Sequence, residues 1–421
     1  MLRRSGIVAF PVADGRHTLS HSTGMDILFD PFSPDFRANP YPHLARLRAT
    51  DPVHFIPSTG MWLVTRYRDV TAILRDERVS ARRPLFDRLA SAKSGTPELI
   101  ARAAKTMLVR DPPDHTRLRN LVNKAFTPRV LDALRPRIEA LAGELLSVVA
   151  MRGSIELIRD YAFPLSLLVI AELLGVPADD RDRLRHWSDD LAILIDGTIA
   201  LDRLAPAERA SHEFGAYLRT VVAERRARPQ HDLISGLVMA REHDDALSED
   251  ELLTMCMLIL IAGHETTTNL VGNGVLALLR HPDELARLRD DSSLVRSAVD
   301  EMLRYDSPVQ LVTRTAIDTI ELEGKRIEPG HEVVLLIGAA NHDPERFVDP
   351  ERFDIGRQDN RHLAFGGGIH FCLGAPLARL EAQAAIPLLL RRFPDLRISD
   401  APLSWREGLV LRGLRELPLD L

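Results

Sequence analysis

Phe365-Gly366-Gly367-Gly368-Ile369-His370-Phe371-Cys372-Leu373-Gly374 sets one cysteine between a run of glycines and an apolar stretch with a helical pattern. The glycines permit backbone angles and close approaches that a side chain would block. Pro376 falls where proline is tolerated, in a first helical turn, and Leu377 to Ile386 continue that helix. Cys372 therefore lies just before a helix N-terminus, whose partial positive charge and free N–H groups favour a thiolate. A thiolate held against such thin backbone can bind a metal in a flat cofactor. An isolated buried cysteine is more often a small core residue. The full glycine spacing is what argues for a ligand here.

The same stretch resembles the haem-binding signature of the cytochrome P-450 superfamily, the haem-thiolate monooxygenases. Phe365, Gly366, Gly368, His370, Cys372, Gly374, Leu377, Ala378 and Arg379 match its bacterial form. The resemblance implies that Cys372 is the axial ligand of a haem b (iron protoporphyrin IX) iron, with a sulfur that favours O–O cleavage. Phe365, Gly366 and Gly374 become cofactor-contacting positions. The implied fold is mainly α with small β-sheets, the haem lying between a long distal helix and the proximal cysteine loop.

Composition is consistent with that reading. The chain has 421 residues without a low-complexity linker or internal repeat, and a net charge of −6 gives no basic footprint for nucleic acid. Two cysteines, Cys256 and Cys372, exclude a disulfide framework and fit a reducing cytoplasm. Cys256 sits in an apolar helical run and reads as packing. No segment reaches the ~18 apolar residues that span a membrane. Residues 1–24 match nothing familiar and read as a disordered leader, with a single cytochrome P-450 domain over 25–421.

Along the chain, Val53 to Ile56 and Met61 to Thr65 read as paired strands across Pro57-Ser58-Thr59-Gly60. Ser80 to Arg110 reads as a loop. Asp111-Pro112-Pro113-Asp114 precedes a helix that carries His115 and Arg119 on one face. In isolation that pair is a solvated basic face; by resemblance it grips haem propionates. Helical patterns follow over 129–151, 161–174, 177–195 and 206–226. The stretch 196–201 between the last two resembles the family's mobile lid.

Ser248-Glu249-Asp250-Glu251 is a capping box that opens a helix, apolar on every face from Leu252 to Ala262. Ala262-Gly263-His264-Glu265-Thr266-Thr267-Thr268 then breaks the rules for a buried helix interior, as functional sites do. His264-Glu265 begins like a zinc-protease motif, but Thr268 replaces the second histidine. By resemblance this is the oxygen-binding helix, with Ala262 and Gly263 beside the cofactor and Gly263 leaving room for dioxygen. Glu265 and Thr266 then form the proton relay that dioxygen reduction requires. Either residue alone reads as a helix-kinking hydrogen bond to the backbone.

Glu301 and Arg304, one turn apart, are an ordinary surface pair by default. The resemblance makes them the family's buried E-x-x-R pair, completed by Arg352. It also places Val309, Gln310, Leu311 and Val312 on the substrate wall and gives Arg314 and His362 propionate contacts. The implied activity is insertion of one atom of dioxygen into a C–H bond of a mid-sized hydrophobic molecule (macrolide, terpene, steroid or fatty-acyl class). Electrons come from NAD(P)H through a reductase and a ferredoxin docked near Cys372, since this chain has no flavin or iron–sulfur motif. A monomer without a nucleic-acid or membrane partner is expected. Two rivals stand beside this reading. A peroxide-driven peroxygenase typically lacks the Glu265–Thr266 pair, and a non-enzymatic haem or ligand-binding protein leaves that pair unexplained.

Overall fold

The run Glu332–Leu336 carries four consecutive apolar residues because both faces of its strand are buried. In the computed structural model, which describes residues 7–8, 31, 33–57, 59–83, 98–192, 199–241 and 245–421, it lies at the centre of a five-stranded mixed sheet. The strands are β1 (Val53–Ile56), β2 (Met61–Val64), β3 (Val79–Ser80), β4 (Leu311–Ala316) and β5 (Glu332–Leu336), in the order β1-β2-β5-β4-β3. β5 runs parallel to β2, with Val334 opposite Leu63, and antiparallel to β4, with Val334 opposite Thr313. The two-residue period sends Val333 and Leu335 to one side, with Trp62, Val64 and Val53. Val334 and Leu336 go to the other, with Met61, Leu63 and Ile56.

The remaining bulk is helical. The helices that position the site are α1 (Asp114–Ala125), α2 (Pro128–Val149), α3 (Phe163–Leu174), α4 (Arg181–Leu191), α5 (Leu201–Ala227), α6 (Glu249–Arg280), α7 (Val295–Tyr305) and α8 (Ala375–Arg392). α6 has 32 residues, about 48 Å of helix at 1.5 Å per residue. Its capping box forms as expected: Ser248 Oγ accepts from the Glu251 amide, and Glu251 returns a carboxylate to the Ser248 amide. α6 packs against α3, α7 and α8. Cys256 is fully buried in this core, which pushes its thiol up to about 12.

Two expectations change. The stretch 80–110 is not simply a loop: it contains a helix at Glu98–Ala103 and a 3-10 turn at Met107–Val109, while 84–97 lies outside the described residues. α5 begins at Leu201, so Pro206 lies inside the helix instead of opening it. Of the stretch 196–201 expected as a lid, 196–198 lies outside the described residues; Ile199–Ala200 pairs antiparallel with Ile7–Val8, the described part of 1–24. Among the described residues no helix is long and apolar enough to cross a membrane.

Candidate active site

The cysteine loop is built as a tight return. The Cys372 amide donates to the Phe365 carbonyl (3.0 Å) and the Gly366 amide to Leu363 (2.7 Å). Gly366 and Gly368 both have left-handed backbones, at φ 69° and 65°. A Cβ on Gly368 would lie 2.1 Å from the Leu74 carbonyl oxygen, so this position tolerates glycine alone. Gly374 has ordinary φ (−80°), and a Cβ there would stand 3.9 Å from Cys372 Sγ. Phe365 lies under the Arg379 guanidinium, 4.6 Å from ring centroid to Cζ.

At the Cys372 thiol two effects oppose each other. Cys372 is open to solvent as a residue, yet protein crowds its sulfur. That crowding pushes the thiol above its ordinary value, against the pull of the Gly374 and Ala375 amides, Arg119 and Arg379. The helix N-terminus acts in the expected direction and is outweighed by desolvation.

Beside the loop stands a group of two arginines and two histidines with no carboxylate at ion-pair distance among the described residues; the acid that acts on them, Asp111, gives its oxygens to Ser80 Oγ and the Ala81 amide. His115 on α1 is buried and its ring lies 4.2 Å from that of His370. His115 Nδ1 and His370 Nε2 are both buried without a hydrogen-bond partner. Arg119 follows one turn along α1, and Arg314 on β4 donates only to the Thr313 carbonyl (2.8 Å). Neither arginine has a carboxylate partner among the described residues. Burial, then Arg314 and His115, pushes His370 down to about 3; burial pushes Arg314 down to about 10. Burial and Arg119 likewise lower His115. Two orphaned imidazole nitrogens and two unanswered guanidiniums fit a cofactor with two carboxylates.

His362 does not belong to this group. Its Nε2 faces Asp300 Oδ1 (3.4 Å), its Nδ1 accepts from the Ala364 amide (3.2 Å), and Asp300 also takes Arg379 Nε (2.7 Å). The histidine that joins His115, Arg119 and Arg314 is His370, two residues before the cysteine. That spacing, inside the ligand loop itself, was the sequence signal that could have found it.

The distal face comes from α6. Within its buried middle, the partly accessible residues are Leu258, Ala262, Gly263 and Thr266, and three of these recur every fourth position on one face. Thr266 Oγ1 donates to the Ala262 carbonyl and Thr267 Oγ1 to that of Gly263 (2.9 Å each). Gly263 itself serves packing: a Cβ there would lie 2.5 Å from Ile170 Cδ1 on α3. Its missing side chain leaves room for the tip of Ile170 on α3, and the residue stays partly accessible on the same face as Ala262. Glu265 is buried and accepts from Arg406 Nη1 (2.5 Å). Burial pushes its carboxyl up, but His264 and Arg406 outweigh this and bring it to about 2. His264 is fully buried, its Nε2 2.9 Å from Ser188 Oγ on α4.

A family model described as cytochrome P450 matches residues 207–402. Similarity extends over nearly the whole chain in relatives such as the polyketide biosynthesis cytochrome P450 PksS of Bacillus subtilis, 40% identical across 94% of this chain and 99% of that protein. The chain belongs to the cytochrome P450 family. The vitamin D(3) 25-hydroxylase of Pseudonocardia autotrophica is 43% identical over 93% of this P450 and 96% of its own length. Among solved structures, P450BioI in complex with an acyl carrier protein ligated to hexadec-9Z-enoic acid superposes with a TM-score of 0.85. It is 40% identical, covering 92% of this chain and 99% of that one. The protein is thus a haem b-dependent P450 monooxygenase.

In this P450 the E-x-x-R pair is a buried hub. Glu301 and Arg304 are both fully buried, joined by two 2.8 Å bonds, and Arg304 also ties down the carbonyls of Asn341, Pro350 and Arg352. The third member is Arg357, whose Nε lies 3.2 Å from both Glu301 oxygens. Arg352, assigned that place from sequence, is exposed and contributes only its carbonyl. The expected substrate wall divides similarly. Gln310 Nε2 is tied to the Ser307 carbonyl (2.8 Å) and Tyr41 hydroxyl (3.3 Å), and Leu311 belongs to a core cluster. Val309, bridged to Leu411, and Val312 are half-buried.

Proposed function

We propose that this P450 inserts one atom of dioxygen into a C–H bond of a mid-sized hydrophobic molecule of the macrolide, terpene, steroid or fatty-acyl class. Electrons arrive from NAD(P)H through a ferredoxin and its reductase. The observation that carries the reading is the pair of arginines without a carboxylate partner, Arg119 and Arg314, grouped beside Cys372 with the orphaned ring nitrogens of His115 and His370. Bound haem b supplies the iron that binds dioxygen and accepts electrons. Cys372 Sγ would hold that iron, Arg119, Arg314, His115 and His370 would hold the two propionates, and Ala262 and Thr266 would face the group from α6. The Thr266 hydroxyl, now closed onto the Ala262 carbonyl, turns outward to hold a proton-bearing water, with Glu265 as the acid behind it. Val309 and Val312 are the favoured substrate contacts from their segment. The substrate classes draw on relatives whose names refer to polyketide biosynthesis and vitamin D(3), and on a neighbour holding an acyl chain.

The test is the absorption spectrum of the dithionite-reduced protein under carbon monoxide, followed by titration with candidates of each class. A strongly red-shifted Soret band and a spin-state change with one class are expected. An ordinary haem–CO band in native protein would overturn the thiolate assignment. Turnover under labelled dioxygen must place one labelled atom in the product; activity only with peroxide would overturn the ferredoxin-driven reading.

A further inference from the structure

Outside the haem site, α8 packs against α2 and α7 and leaves a cavity of about 530 Å³ where the three helices meet. Its walls come from Arg135 on α2, from Arg296 in the first turn of α7, and from Gln383, Pro387, Leu388 and Arg391 on α8. Steps of four residues set Gln383, Pro387 and Arg391 on one face of that helix. Leu388 beside them is half-buried and gives the groove an apolar patch.

Two features of this groove ask for a ligand. The first is charge. Arg135, Arg296 and Arg391 make no ion pair or hydrogen bond among the described residues. Neighbours on the same helices are engaged: Arg137 holds Glu172 Oε1 (3.0 Å) and Arg379 holds Asp300 Oδ1 (2.7 Å). Three guanidiniums against one carboxylate in the wall, Glu139, leave two positive charges in excess, in a chain whose net charge is −6. Planar guanidiniums suit the oxygens of phosphate. The turn before α7 adds nothing to an anion, since Asp291 Oδ1 already takes the Ser293 amide (2.9 Å). The second feature is an acceptor. Pro387 has no N–H, so the Gln383 carbonyl lacks the donor that a helix supplies four residues on. A carbonyl open to a donor, beside cations open to an anion, suits a molecule that carries both phosphate and hydroxyl.

We propose that the groove between α2, α7 and α8 binds a phosphate ester of nucleotide size. Its phosphates lie on Arg135, Arg296 and Arg391, a sugar hydroxyl donates to the Gln383 carbonyl, and an apolar ring rests against Leu388. The cavity lies in the size range that holds small molecules whole. An acidic protein surface would meet the two exposed arginines, Arg296 and Arg391, without filling it. The site is separate from the haem-facing residues yet joined to them, because Arg296 lies one turn before Asp300, which holds Arg379 and faces His362. A ligand there ties the helix that follows Cys372 to the helix that carries Glu301 and Arg304, and stabilises the folded protein by mass action.

The experiment is isothermal titration calorimetry of the ferric holoprotein at low ionic strength, without added divalent cation, using ADP, pyrophosphate and a poly-glutamate peptide. ADP is expected to saturate a single site per chain and to raise the melting temperature as it is added. Arg296→Gln and Arg391→Gln should each weaken it by at least about tenfold. Arg392→Gln, the next residue of α8 and outside the groove, should keep the parent affinity. Pro387→Ala returns the missing N–H to the helix, so it should weaken ADP severalfold and leave pyrophosphate unchanged. Each variant is first checked by its carbon monoxide spectrum, so that a misfolded protein is not scored. No saturable ADP binding by the parent, or parent-like binding in both arginine variants, would overturn the site. Pyrophosphate binding as tightly as ADP would sink the ester assignment. Binding of the peptide in place of ADP would make the groove a surface for an acidic protein and refute the small-molecule reading.

Discussion

Replacing Glu301 with glutamine is expected to loosen the cysteine loop from a distance. The carboxylate takes bonds from Arg304 Nε and Nη2 (2.8 Å each), Arg357 Nε (3.2 Å), Asn360 Nδ2 (3.0 Å) and the Asp354 amide (2.9 Å). Glutamine keeps the volume, removes the charge that two guanidiniums answer, and points an NH2 group at donors. Removing one partner of a buried pair costs ~3–5 kcal/mol. At roughly 2.1 cal/mol/K per residue, 421 residues have an unfolding entropy of about 0.9 kcal/mol/K, so the melting temperature should fall by about 3–6 °C. Circular dichroism of the holoprotein reads that shift, and the carbon monoxide spectrum reads the fraction retaining the thiolate. Arg357→Ala should show part of the loss. Arg352→Ala, which keeps the carbonyl that Arg304 uses, should stay within ~0.5 kcal/mol of the parent. Destabilisation by Arg352→Ala equal to that of Glu301→Gln, with Arg357→Ala silent, would refute the hub as described.

Gly263→Ala should destabilise by up to ~2 kcal/mol through overpacking against Ile170, and Ile170→Val should relieve it; a dioxygen-binding defect at parental stability would contradict this. Gly368→Ala should abolish the thiolate spectrum, because its Cβ meets the Leu74 carbonyl oxygen. Gly366→Ala, with nothing within 4 Å, should cost only the ~1–2 kcal/mol of left-handed strain; equal effects in the spectrum would count against the loop geometry. Glu265 is held at about 2, below its ordinary 4.5. The unfolded chain therefore binds this proton first, and the stability Glu265 contributes above pH 4.5 is lost as pH falls toward 2. Glu265→Gln should flatten that part of the acid-unfolding curve, and an unchanged slope would argue against the Arg406 contact with Glu265.

What the sequence made legible was local. The capping box at Ser248, the strand pair around Gly60 and the loop before Pro376 are signals contained within a few residues, and each forms where the pattern places it. What stayed hidden depends on where distant segments meet. Arg352 and Arg357 are both plausible third members of the hub until the turns between them decide which side chain faces Glu301. His362 and His370 are both histidines of the same loop, and only the position of Asp300 separates their duties. Gly263 reads as a gap in the oxygen helix, and the Ile170 side chain that a Cβ there would meet comes from a distant segment. The contact between Glu265 and Arg406 spans 141 residues and no local pattern announces it. The raised thiol is the same lesson in energetic terms: the helix end is visible in sequence, and the crowding that outweighs it is not.

The mixed sheet also limits how this chain can be divided. β4 and β5 fall within the segment matched by the family model, whereas their outer neighbours β3 and β2 come from residues 79–80 and 61–64. A fragment starting near residue 207 would hold a two-stranded ribbon with both edges bare, a state that recruits foreign strands. The stretch most recognisable by descent is therefore not a separable piece of the protein. Split between α4 and α5, the two halves should be insoluble apart and should recover a single folded particle when expressed together, because each completes the other's sheet.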